Sequence, residues 1–302
     1  TEIYTLSLHD ALPICKVSLN SNNLGNHSRQ ISTLFLEHRA YFLNKKLDIT
    51  PGVALSHYSN FGSHFFPGID VGYTLKSGIK LFTNMGYTWR IPTYTDLYYV
   101  GTANIGNENL VPESALSYEV GAKYTHSHWH TNISWFSRKS SNLIDWIKDS
   151  KASDTSKWQP QNLNDLTIRG LDFNINLSGQ ALLGSNEILE NIQIGYTYID
   201  AEIPQYSNII SRYVLENLNH QLTVNIQHRI VGPLHHNLRL RYLDRASMAN
   251  YFVIDTKLFW EAKKYSFYLT INNLFNESYY ESNLVEMPGL WLFAGIKLKI
   301  PY

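Results

Sequence analysis

One pattern governs this sequence. Apolar and polar residues alternate in segments of about ten residues, almost throughout the chain. In KYSFYLTINN, Tyr265, Phe267, Leu269 and Ile271 fall on one face, and Ser266, Tyr268, Thr270 and Asn272 on the other. NIQIGYTY sets Ile192, Ile194, Tyr196 and Tyr198 against Asn191, Gln193, Gly195 and Thr197. NLRLRY sets Leu238, Leu240 and Tyr242 against Asn237, Arg239 and Arg241. In WLFAGIKLKIPY, Leu292, Ala294, Ile296, Leu298, Ile300 and Tyr302 share a phase, while Lys297 and Lys299 take the other. A period of two belongs to strands whose two faces meet different surroundings. About ten residues is what a tilted strand needs to cross the hydrocarbon layer. No helical period competes.

The alternation predicts about thirteen strands, centred near residues 35, 51, 69, 82, 121, 134, 171, 195, 223, 239, 256, 269 and 296, with soft boundaries. Their connections alternate in length. Short ones lie near Asn44–Lys46, Lys76–Gly78, Thr125–His130, Ile230–Pro233 and Glu261–Lys264. Longer ones lie near His57–His64, Trp89–Ser114, Ile147–Leu163, Asp200–Leu218, Asp244–Asn250 and Asn276–Gly289. Ser178–Glu187 is intermediate. Short turns on one side and long loops on the other suit an antiparallel transmembrane β-barrel. A β-solenoid would show a repeat, and there is none.

Composition agrees. Only 17% of residues are charged, while aromatics reach 14% with 21 Tyr. Twenty-five basic residues balance 25 acidic ones, which argues against nucleic acid as a partner. No run of about 18 apolar residues exists, so no helix is expected to span a bilayer. Lipid-facing and lumen-facing residues that alternate keep the mean hydropathy modest. Tyr73, Tyr87, Trp89, Tyr124, Trp129, Trp260, Tyr265 and Trp291 lie near strand ends, where they suit interfacial girdles.

The first stretch, TEIYTLSLHDALPIC, breaks the pattern. It lacks the basic start and continuous apolar run of a signal peptide. Thr1 to Ile14 match the in-frame translation of a common sequencing-library adapter, and Cys15 begins on the adapter's last base. Residues 1–15 are therefore expected to be an adapter-derived artefact. Residues 16–302 are expected to be the native part, with more sequence upstream. Cys15 is the sole cysteine, so disulfide and zinc-thiolate chemistry is not expected of the native part.

The longest connection reads WRIPTYTDLYYVGTANIGNENLVPESALSYEVGAKY. Pro92 cannot donate a ladder hydrogen bond and should end its strand. Gly101, Gly106 and the Asn residues suit sharp turns. Pro112 fixes the return, and Tyr118 and Glu119 resume the alternation. This stretch resembles the segment of TonB-dependent outer-membrane receptors that runs roughly F-R-x-P-[ST]…[DE]-L-Y…G-N-P-x-L-x-P-E…Y-E-x-G. Arg90, Pro92, Thr93, Asp96, Leu97, Tyr98, Gly106, Asn107, Leu110, Pro112, Glu113, Tyr118, Glu119 and Gly121 match. Trp89 stands for Phe, and Glu108 for the first Pro. Downstream, Ile168 to Asp172, with Gly170 at its centre, resembles the family's I-x-G-x-[DE] strand. Asn273, Leu274, Phe275 and Asn276, followed by Tyr279, resemble N-L-F-[ND]-x-x-Y. Met287, Pro288 and Gly289 resemble M-P-G-R, with Leu290 in place of Arg. Tyr302 resembles the terminal aromatic by which the barrel-assembly machinery recognises its clients.

The resemblance implies the C-terminal part of a receptor with an N-terminal plug inside a barrel of about 22 strands. About thirteen of these are expected here, an incomplete all-β barrel. It implies energy-coupled uptake of a scarce nutrient (siderophore-iron, haem or cobalamin), the TonB complex as partner through the missing N-terminal region, the lipid bilayer as surroundings and a monomer in the Gram-negative outer membrane. No cofactor, metal or catalytic residue is implied. Ligand contacts are expected from loop aromatics: Tyr98, Tyr99, Trp146, Trp158 and Tyr206.

Competing readings are weaker. A barrel protease or phospholipase needs a framed dyad or triad. No G-x-S-x-G, P-loop or H-E-x-x-H is present. A passive porin or adhesin barrel would have no plug. His126, His128 and His130 have metal-ligand spacing but flank a short turn where the phase resets. Asp96, Glu108 and Glu113 read as a solvated loop face.

Overall fold

The computed structural model describes every residue except 1–4, 8–13, 76–77, 152–155, 164, 185–187, 203–208, 213–217, 247, 282–284 and 299–302. The strands are β1 (Thr5–Ser7), β2 (Ile14–Ser21), β3 (Gly25–Phe42), β4 (Leu47–Tyr58), β5 (Gly62–Thr74), β6 (Ile79–Arg90), β7 (Glu113–His126), β8 (Trp129–Ser141), β9 (Leu143–Asp149), β10 (Gln159–Leu163), β11 (Leu166–Ser178), β12 (Leu189–Glu202), β13 (Ile209–Ser211), β14 (Leu218–Val231), β15 (Leu234–Arg245), β16 (Met248–Glu261), β17 (Tyr265–Asn272) and β18 (Trp291–Leu298). Two one-turn helices, α1 (Tyr94–Tyr98) and α2 (Gly179–Leu183), sit in connections. Fifteen strands belong to one long sheet. The fold is all-β, and the pairings within it are antiparallel.

All thirteen expected centres fall inside strands of the long sheet. Five further strands were not expected. β9, β10 and β13 form a small separate sheet; β10 and β13 lie inside two stretches expected as long connections, and β9 overlaps the start of the first. They are short, and Ile144, Asp145, Trp146 and Ile147 are all buried, so β9 shows no alternation to read. β1 and β2 both pair with β3. Pairing runs through backbone groups that almost every residue carries. It therefore speaks to the backbone of residues 5–7 and 14–15, and not to the origin of their codons.

Contacts divide the chain into two compact units. The first holds β3 to β6 in chain order, with residues 1–121, 135–169 and 200–216. Its register runs unbroken from Leu34↔Leu55 through Leu55↔Phe65, and from Pro51↔Ile69 to Ile69↔Met85. This puts Leu34, Leu55, Phe65, Ile69 and Met85 on one face, all exposed. The other face is polar. Thr33 bonds Ser56, and Asp48 takes both Lys80 at 2.8 Å and Arg39 at 3.3 Å.

The second unit holds residues 122–134, 170–199 and 217–302. Within it β12, β14, β15, β16, β17 and β18 are neighbours in that order. Val224↔Leu240 and Leu240↔Ile254 mark its apolar face, and Asn225↔Arg239 and Arg239↔Asp255 its polar one.

A water-soluble sheet would bury the apolar face. Here Phe65 is 59% exposed and Ile296 63%. Such a face suits lipid, in which every backbone group must already be paired. The few true cores lie under loops. One packs Leu97, Leu110 and Ile144, another Ile147, Leu163 and Leu166, and a third Leu243, Tyr251, Val253 and Tyr279. Tyr73, Trp129, Trp260 and Tyr265 are exposed at strand ends, as a girdle requires. Two expected girdle residues do otherwise. Trp89 stacks on His64 at 3.3 Å, and Trp291 joins the polar face through its register with Asn272.

Candidate functional site

In the first unit, β6 ends at Arg90 and β7 begins at Glu113. Pro92 follows and is fully buried. The 91–112 connection is closed by a two-pronged ion pair. Arg90 donates from Nε to Glu113 Oε1 at 2.7 Å and from Nη2 to Oε2 at 2.9 Å. The same Oε2 accepts the Ile144 amide at 3.1 Å, which ties β9 to the clamp. Glu113 is the first residue of β7 and precedes Leu116, Tyr118 and Val120, the exposed apolar residues with which that strand's alternation begins. Burial alone would raise its carboxyl pKa. The Arg90 bond and the Ile144 amide outweigh burial and hold it below the ordinary carboxylate value.

Asp96 carries the second half. Thr93 and Asp96 cap α1 reciprocally: the Asp96 amide donates to Thr93 Oγ1 at 3.1 Å, and the Thr93 amide to Asp96 Oδ2 at 3.0 Å. Oδ1 accepts the Trp146 indole N–H at 3.1 Å. The Asp96 carbonyl accepts the Asn107 amide, and Asn107 Nδ2 donates to the Pro160 carbonyl at 3.0 Å. Gly106 passes so close that a Cβ would lie 2.6 Å from the Leu97 carbonyl. Only glycine fits there. The expected solvated acidic face is thus corrected. Asp96 and Glu113 are 7% and 8% exposed, because a cation, an indole and backbone amides satisfy them; Glu108 alone is exposed.

Two contributors had no readable signal. Arg29 of β3 is buried, donates to the Pro92 carbonyl at 3.2 Å and lies over the Phe61 and Tyr94 rings. Asn162 of β10 pairs with both backbone groups of Val111. Nothing in local spacing ties residues 29 or 162 to this connection.

The second unit holds the other motif pair. Asn273 and Asn276 both adopt positive φ, at 51° and 55°. Asn273 is almost fully buried. Its Oδ1 accepts the Glu277 amide, and its Nδ2 donates to the Glu277 carbonyl at 2.8 Å and the Pro288 carbonyl at 3.4 Å. Its own amide donates to Asp255. Leu274 donates its amide to the Ile254 carbonyl, while the Phe275 ring is exposed. Asn276 Oδ1 accepts the Leu290 amide, and a Cβ on Gly289 would stand 2.4 Å from that oxygen. Tyr279 is buried against Tyr251. Asn-Leu-Phe-Asn and Met-Pro-Gly are therefore two sides of one knot. Gly170 is buried in β11, and Asp172 accepts Thr197 and Asn174.

Of the expected ligand contacts, Trp146 is buried and its N–H is taken by Asp96, so it belongs to the scaffold. Tyr98, Tyr99 and Trp158 are half-buried in the first unit. Tyr98 stacks on His27 at 3.7 Å, Tyr99 accepts the Gly106 amide, and Arg212 lies 4.7 Å over the Trp158 ring. Trp158 also pairs through its backbone with Ala103 and Ile105. Tyr206 and Tyr302 lie outside the described residues. Glu119 accepts the Asn84 side chain at 2.9 Å, and Tyr118 packs on Trp135.

Comparison with known proteins gives a consistent picture. A family model described as "TonB dependent receptor-like, beta-barrel" matches residues 7–274. The vitamin B12 transporter BtuB of Photobacterium profundum is 24% identical over 143 residues, 47% of this chain and 22% of that protein. The ferrienterobactin receptor of Escherichia coli is 21% identical over 178 residues, 53% of this chain and 24% of that protein. The crystal structure of the siderophore receptor PirA from Pseudomonas aeruginosa superposes with a TM-score of 0.71 at 18% identity, over 93% of this chain and 49% of that one. The chain thus spans about half of that structure and under a quarter of those two curated relatives.

Proposed function

The chain belongs to the TonB-dependent receptor β-barrel family, and from that premise we propose that it is part of an outer-membrane receptor for energy-coupled uptake of a scarce nutrient. The family is one of receptors and transporters, not of enzymes. The observation that carries the reading is the sheet itself. Its thirteen long alternating strands expose their apolar faces, while two family motifs lock its longest connections. A complete family barrel has about 22 strands, so the remaining strands and the plug would come from sequence outside this chain. TonB would act there, and the barrel-assembly machinery at Tyr302. We place the protein in the Gram-negative outer membrane as a monomer.

For the ligand we carry forward Tyr98, Tyr99 and Trp158, with Tyr206. The named relatives bind vitamin B12 or siderophores, and siderophore-iron, haem and cobalamin are the candidates. The test is growth rescue by the complete receptor, one nutrient at a time, with and without a functional TonB. Rescue by one nutrient only when TonB is present is the expected result. Rescue that ignores TonB would make the protein a passive pore. Replacing Tyr98, Tyr99 and Trp158 together by Ala should weaken ligand binding; unchanged affinity would remove them from the site.

A further inference from the structure

The short connections of the second unit form a row. They join β7 to β8 at 127–128, β11 to β12 at 179–188, β14 to β15 at 232–233 and β16 to β17 at 262–264. Their strands are neighbours in that same order. Backbone bonds tie each connection to the next: Ser178 donates to the His128 carbonyl, Arg229 to that of Ile188 and Glu261 to that of Pro233. A Cβ on Gly179 would collide with the Leu189 carbonyl, so glycine lets α2 seat against the start of β12.

The row has an apolar middle and basic flanks. Leu182, Leu183, Ile188, Ile230 and Val231 occupy the two middle connections or adjoin them, and all are exposed. Val231, 67% exposed, opposes Leu234. Leu234 opposes Trp260, Trp260 opposes Phe267, and Phe267 opposes Ile296. The middle of the row thus joins the last rung of the outward apolar face, the side away from the lumen. Exposed Trp129, Trp260 and Tyr265 lie at the same strand ends. The fourth connection adds exposed Lys263 and Lys264, which outnumber its one exposed acid, Glu261. Glu190 is already taken by Gln227 at 2.7 Å and His235 at 2.8 Å.

We propose that this row of turns is a binding surface for anionic phospholipid. Leu182, Leu183, Ile188, Ile230 and Val231 enter the headgroup layer, and Lys263 and Lys264 meet the lipid phosphates. Turns that stood in water would gain nothing by exposing five large aliphatic side chains together. The polar layer of a bilayer is about 5–8 Å deep on each side, and a five-residue helix is about 7.5 Å long, so α2 fits within it. Trp and Tyr rings settle at the inner edge of that layer, which sets the level of the row. Lysines beside it are drawn to anionic headgroups. A protein covering the patch would have to extend into lipid at Val231, because the patch and the outward rung are continuous.

The proposal rests on the barrel reading and adds a lipid class to it. Its tests use neither nutrient nor TonB, so a failed uptake assay and a failed lipid surface remain separate results. In the complete receptor carrying this sequence with Cys15→Ser, nitroxide labels are placed at Leu183→Cys, Val231→Cys and, as a lipid-facing reference, Phe267→Cys. In vesicles of phosphatidylcholine and phosphatidylglycerol, the labels at 183 and 231 should collide with oxygen more than with a water-soluble nickel chelate, as the reference does. Dominant nickel collisions at 183 would put the row in water. Few collisions of either kind would mean that protein covers it, whether the plug, a second copy or another partner. Either result overturns the proposal. The second test extracts the receptor from equal mixtures of the two lipids and measures what it retains. The wild type should retain phosphatidylglycerol in excess, and Lys263→Gln and Lys264→Gln should each cut that excess, by up to about fivefold. Both lysines are exposed turn residues, so the variants should fold, checked by unchanged exchange of the Glu277 amide. Equal retention of the two lipids by the wild type, or an unchanged excess in the double variant, overturns the choice of anionic lipid.

Discussion

Two long connections, 91–112 and 273–290, solve the same problem with different chemistry. Each must hold a stretch of irregular backbone at the end of a sheet. The first uses charge: Arg90 and Glu113 close it with two bonds, and Glu113 and Asp96 then collect backbone amides and an indole. The second uses neutral amides, with Asn273 making three side-chain bonds and Asn276 one. A carboxylate accepts only, so the charged clamp needs a cation and responds to pH. An amide both donates and accepts, so the Asn273 side chain closes the knot from both directions, while its backbone amide donates to Asp255 Oδ1. The difference also decides which residue can be replaced. Ion pairing tolerates some movement of a half-exposed Arg. A buried Asn at positive φ tolerates none.

The largest effect should therefore fall on the knot. Asn273→Ala removes three bonds and leaves the Glu277 amide and carbonyl without their partner. It also puts a residue with no local polar group at φ 51°. Together these should cost about 3–5 kcal/mol of local stability. The check is hydrogen exchange of Glu277 in the complete receptor. Protection equal to wild type would mean that the backbone alone holds the knot.

Next comes Glu113→Ala, which strands the Ile144 amide and frees Arg90, at about 2–4 kcal/mol. Arg90→Lys should cost about 1–2 kcal/mol, because a single ammonium replaces a fork. If Lys matches Arg, the pair acts as a point charge and the two-pronged geometry is incidental. Exchange of the Ile144 amide reports both.

Acid should separate the two connections directly. The Glu113 carboxyl is held below its ordinary value in the fold. Its contribution is complete above the unfolded value of about 4.3 and is lost as pH falls through the folded one. The Ile144 amide should lose protection across that window, after correction for intrinsic exchange, while the Glu277 amide should not. Equal loss at both sites would place the acid sensitivity elsewhere.

How much of this was readable follows from the range of each interaction. Alternation is local, so every long strand was legible, and Pro92 marked the end of β6 by its missing N–H. The motif residues could be matched one by one, but their purpose could not. Glu113 finds Ile144 31 positions away, and Asp96 finds Trp146 50 away. Such distances leave no periodic trace. The small sheet leaves no trace for a related reason: β9 is buried on both sides, so LIDWIKD shows no alternation. Trp146 was misjudged with it, because an aromatic in a loop looks like a ligand contact until its buried acceptor is seen.

The smallest effect tests that last point. Trp146→Phe keeps most of the ring packing and removes only the N–H that reaches Asp96 Oδ1. Asp96 retains Thr93, and the Arg90 guanidinium stays 3.9 Å from Oδ2. The loss should be about 1 kcal/mol, the ordinary worth of one bond, somewhat more because the acceptor is charged. It should appear as faster exchange of the Asn107 amide, which the Asp96 carbonyl accepts. Ligand affinity of the complete receptor should not change. A fall in affinity with Asn107 protection intact would return Trp146 to the ligand site. It would also mean that the charged connection carries recognition as well as scaffolding.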